Sequence, residues 1–250
     1  MKIGWDLIRH ESQFKNIALD FACLSNGLKY GEEIDHERLG PFDLLQTEGN
    51  CISCPEKLRD YFQKSWKHSK NPNLNDYDYF LIIDGLSPLD TRNLYASDQN
   101  ISPFSNSVIT EIIQDLLTKP KKVSSHPINV IKLKTPEKCI FIGAPLPSSH
   151  CHRSKWMQTN LSEESKNHIT ENAIKVRTIC EKGNLKLQTH LPPLDVLDKT
   201  HVWTKPEYFR NGLNYLGEHH KRVVDHDHAN GHYGKSILTD LLIRLIDQQA

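Results

Sequence analysis

Short apolar runs set between longer amphipathic stretches constrain this chain most. Residues 79–83 read Tyr-Phe-Leu-Ile-Ile and residues 139–143 read Cys-Ile-Phe-Ile-Gly. A strand with one wet face alternates apolar and polar residues. An unbroken run of about five marks a strand covered on both faces. Residues 16–22, NIALDFA, and 185–189, LKLQT, are read as two more strands. Helical spacing fills the intervals. Residues 55–68 place Leu58, Tyr61, Phe62 and Trp66 on one face behind Pro55, which suits a first turn. Residues 106–117 carry Val108, Ile109, Ile112, Ile113, Leu116 and Leu117. Residues 162–181 begin with Ser162 as a cap and with Glu163 and Glu164 in the first turn. Residues 233–246 align Ile237, Leu238, Leu241, Leu242 and Leu245. Strands alternating with helices of this length predict βαβ units: a mostly parallel sheet with helices on both faces, in one domain spanning 1–250.

Composition closes other classes. Hydrophobic residues are 37% and charged residues 25%, which excludes a disordered chain, a collagen-like repeat and a bundle of membrane spans. Lys plus Arg equals Asp plus Glu at 31 each, so no net field favours a polyanion, and nucleic acid is not expected as a partner. No apolar run reaches the ~18 residues of a membrane span. The opening MKIGWDLIRHESQFK has scattered charges and no apolar core of a secretory signal. A cytoplasmic protein with reduced thiols is therefore expected of the six cysteines, Cys23, Cys51, Cys54, Cys139, Cys151 and Cys180.

In such sheets ligands bind beyond the carboxyl ends of the strands. This directs attention to the residues after Ala22, Ile83, Gly143 and Thr189. The first group is Cys23-Leu24-Ser25-Asn26-Gly27. A nucleophile at a strand-to-helix turn is exposed and close to helix amides that stabilise a thiolate or an oxyanion. A packed apolar role is the alternative for Cys23. The second group is Asp225-His226-Asp227-His228-Ala229-Asn230-Gly231-His232-Tyr233-Gly234, ahead of the last helix. An Asp three residues before a His can curl back on a turn and fix the imidazole tautomer, leaving the other ring nitrogen as a general base. The same residues can instead cap the helix or, as His-x-His, hold a metal.

DHDHANGHYG running into an amphipathic helix resembles the closing block of the SGNH/GDSL hydrolase superfamily: Asp-x-x-His, then His-x-Asn and Tyr-Gly. The family's opening block, Gly-Asp-Ser-Leu-Ser-x-Gly, laid on residues 21–27 matches at Leu24, Ser25 and Gly27 and puts Cys23 at the nucleophilic Ser. A Cys there also resembles the GSCFA branch, whose opening is Gly-Ser-Cys. The prolines after CIFIG and Pro192-Pro193 are similarly placed. Phe21-Ala22 stand where the family has Gly-Asp, and Gly85 stands for the Gly of its third block, with Asn93 a substitute for the Asn. The resemblance implies a three-layer α/β/α, flavodoxin-like fold. It also implies ester or thioester hydrolysis or acyl transfer through a covalent acyl-enzyme, with Cys23 as nucleophile, His228 as base and Asp225 orienting it. Leu24, Gly85 and Asn93 would serve the oxyanion and the substrate. The reaction calls for no metal or other cofactor, and the partner is a small-molecule or carrier-bound acyl substrate. Ser25 is the alternative nucleophile.

Other classes stay open. The replaced Gly-Asp suits a catalytically inactive binding module, and a Cys peptidase of another fold uses the same Cys and His. Cys51-Ile52-Ser53-Cys54 with His150-Cys151-His152 offers four S and N ligands for structural zinc, and His219-His220 with the Asp-His run offers a catalytic metal site. Lys119 to Lys122, with Lys132, Lys134 and Lys138, forms a basic patch that reads as a solvated face or as a site for an anionic carrier.

Overall fold

A computed structural model describes residues 2–19, 46–53, 73–84, 87–89, 103–118, 127–182, 185–212 and 223–248. The chain divides into two compact units, one of Met1–Ile17, Ile83–Leu117 and Phe141–Ala250, the other of Ala18–Ile82 and Thr118–Ile140.

The architecture is mixed α/β. Strands β3 (Phe80–Asp84), β4 (Cys139–Gly143) and β5 (Gln188–His190) form a small parallel sheet in that order. Helices α2 (Asn106–Thr118) and α3 (Pro127–Lys134) connect β3 to β4. Helices α4 (His152–Asn160) and α5 (Glu163–Glu181) connect β4 to β5. β4 is central and buried at all five positions, as the CIFIG run predicts. β3 has one strand neighbour among the described residues, and Ile83 is 47% exposed, so its apolar run is not covered on both faces. β5 begins three residues later than expected, because residues 185–187 are bent and the Lys186 amide bonds the Gln114 side chain at 3.4 Å instead of a ladder.

The expected strand over 16–22 is not formed in its described part. Residues 16–19 are a turn and irregular chain that leaves a short 3-10 helix, Ser12–Phe14, where the Ile17 amide bonds the Phe14 carbonyl at 3.0 Å. Buried Phe14 anchors that turn. Residues 20–22 and the expected helix over 55–68 lie outside the described residues.

In the first unit, helix α1 (Lys2–Ile8) packs against the last helix, α6 (Gly231–Asp247). Gly4 makes the crossing possible. A Cβ there would lie 2.2 Å from the Gly234 carbonyl carbon and 2.4 Å from the Lys235 nitrogen. The approach brings Trp5 and Ile8 into the core that α6 lines with Ile237, Leu238, Leu241 and Leu242. α5 begins as expected, with the Ser162 hydroxyl accepting the Ser165 amide at 3.1 Å. α4 escapes a reading by periodicity because its residues are mostly polar. Its cap is Cys151, whose sulfur accepts the Ser154 amide at 3.4 Å.

In the second unit, β1 (Gln46–Glu48) and β2 (Cys51–Ser53) form an antiparallel hairpin turning at Gly49-Asn50. Gly-Asn between strands is a two-residue hairpin signal. Lys134 on α3 donates to the Gly49 carbonyl at 2.6 Å and the Asn50 side chain at 3.0 Å, and Lys138 donates to the Tyr77 carbonyl at 2.7 Å. Two lysines of the expected basic patch thus tie loops down; Lys119 to Lys122 lie outside the described residues.

Candidate functional site

The closing motif straddles the junction of a strand with α6. Strand β7 (Val223–Ala229) pairs antiparallel with β6 (Phe209–Gly212). Asp225 and His228 therefore lie on extended backbone, where a turn was expected between them. Pairing with β6 holds the chain extended, but not evenly. Arg210 pairs with Asp225 and Phe209 pairs with Ala229, so one step along β6 answers four along β7. Residues 226–228 sit in this irregularity. Such register breaks bend a strand locally and are common beside active sites.

Asn230 turns the chain from β7 into α6. Its Oδ1 accepts the His232 and Tyr233 amides at 2.9 and 3.1 Å. Its Nδ2 donates to the carbonyls of Glu207 and Phe209 at 2.7 and 3.1 Å, and its backbone amide donates to Tyr208 at 2.8 Å. The capping residue is thus Asn230, and neither Asp nor His takes this place. Tyr233 is buried, with its ring edge-on to Tyr208 at 6.3 Å between centroids. Burial raises the Tyr233 phenol pKa, so it stays protonated at neutral pH. Asn230→Ala should cost about 1–2 kcal/mol in urea unfolding, the usual loss of a side-chain cap. Asn230→Asp, which keeps the acceptor and loses the donors, should fall between. An alanine variant as stable as wild type would show that the junction does not depend on this side chain.

The carboxyl edge of the sheet carries buried loops. After β3, Ser87, Pro88 and Leu89 are buried, and the Ser87 hydroxyl accepts the Leu89 amide at 3.3 Å. This loop lies against the end of β4, since a Cβ on Gly143 would come within 2.7 Å of the Ser87 Cα. Beyond β4, Pro147 and Ser149 exchange backbone bonds with Thr204 at 3.0 Å each. At the end of β5, His190 is 2% exposed, and its Nε2 faces Asp240 Oδ2 on α6 at 3.5 Å. Arg244 Nε reaches the same oxygen at 3.2 Å, and Arg177 on α5 donates to the Pro192 carbonyl at 2.7 Å. The spacing of the sequence gives no hint of this cluster, because three distant segments supply it.

Cys23, Leu24, Ser25, Gly85 and Asn93 lie outside the described residues. Cys54, His219 and His220 lie outside them as well, and Cys151 acts as a helix cap. Among the described residues no group of three His, Cys, Asp or Glu converges to hold a metal ion. No described helix is long and apolar enough to cross a membrane. No protein-family model, curated protein or solved structure matches the chain.

Proposed function

We propose that the protein is an acyl-ester or thioester hydrolase or acyltransferase working through a Cys23–His228–Asp225 triad on a three-layer, flavodoxin-like α/β fold. The observation that carries this reading is the closing block, Asp225 to Gly234, running from a strand through the Asn230 cap into the last helix. A mixed α/β chain with a small parallel sheet is compatible with it.

In this mechanism His228 takes the thiol proton of Cys23 while Asp225 orients the imidazole. The thiolate attacks the acyl carbonyl, and the amides of Leu24 and Gly85, with Asn93, hold the oxyanion. The tetrahedral intermediate collapses, and the leaving alcohol or thiol takes the proton from His228. Water or an acceptor hydroxyl or thiol then gives His228 its proton and attacks the thioester, which frees Cys23. A thiolate nucleophile fits the reducing cytoplasm, and the acyl donor is a small molecule or is carrier-bound.

Mass spectrometry after incubation with an ester and thioester panel tests the reading. Wild type should gain one acyl group on the peptide containing Cys23. Cys23→Ala should abolish that adduct, and Ser25→Ala should keep most of it. The reverse pattern moves the nucleophile to Ser25. No adduct in either variant or in wild type favours the binding module, for which the absent Gly-Asp speaks. Iodoacetamide near pH 7 should label Cys23 ahead of the others. Burial pushes the Cys139 thiol up to about 11 and the Cys180 thiol up to about 12, so these two should react slowest. Labelling of Cys23 no faster than that of Cys180 would make it a packing residue.

A further inference from the structure

We draw no further inference here: the strongest candidate, the outer edge of β3, where the apolar run ends in a 47% exposed Ile83 and β4 is the one strand neighbour among the described residues, carries nothing because nothing in the structure shows what covers it.

Discussion

Gly4→Ala should weaken the protein by about 3 kcal/mol, measured as a lowered midpoint of urea unfolding at unchanged slope. Alanine in a helix is intrinsically better than glycine by up to about 1 kcal/mol. Here that gain is overwhelmed. The new methyl would meet backbone, the Gly234 carbonyl carbon at 2.2 Å and the Lys235 nitrogen at 2.4 Å, and no rotamer change relieves a backbone overlap. α1 must retreat from α6. Trp5 and Ile8, now 7% and 0% exposed, then lose cover worth roughly 2 kcal/mol each when complete. A Gly4→Ala protein as stable as wild type would mean that α1 is not held at this crossing.

Phe141→Ala should cost about 3–5 kcal/mol, the range for emptying a large aromatic site in a packed core. For a chain of this size that lowers the melting temperature by about 10 °C. Phe141 is 0% exposed at the middle of β4, the central strand of the sheet, whose five residues are all buried. Ile83 on β3 provides the contrast: it is 47% exposed, and Ile83→Ala should cost under about 1 kcal/mol. Equal losses in the two variants would contradict the assignment of β4 as the buried centre.

Local chemistry made much of the fold readable. CIFIG is a strand because a run of five apolar residues with β-branched members and a closing Gly fits a doubly covered position. α2, α5 and α6 follow from helical spacing that persists for a dozen residues or more, and Ser162 caps α5 through its own hydroxyl. These elements carry their instruction within a few turns of chain.

Elements whose support comes from elsewhere were not readable. α4 has little apolar periodicity and a sulfur for a cap. β7 is built of Val-Val-Asp-His-Asp-His-Ala, a poor strand sequence that pairing with β6 holds extended. The residues of the closing motif were legible, but the strand and the register break beneath Asp225 and His228 were not, because a partner strand imposes both. The His190 cluster lies further still from a sequence reading. Its members come from α5, the end of β5 and α6, and only packing brings a histidine, a carboxylate and two guanidinium groups together. The sequence by itself determined an α/β chain with a buried CIFIG strand and a helix, α5, capped by Ser162, since those depend on spacing within one segment. Tertiary structure alone decided which glycine lets two helices touch and which histidine is shut from water, since distance and burial belong to the packed chain.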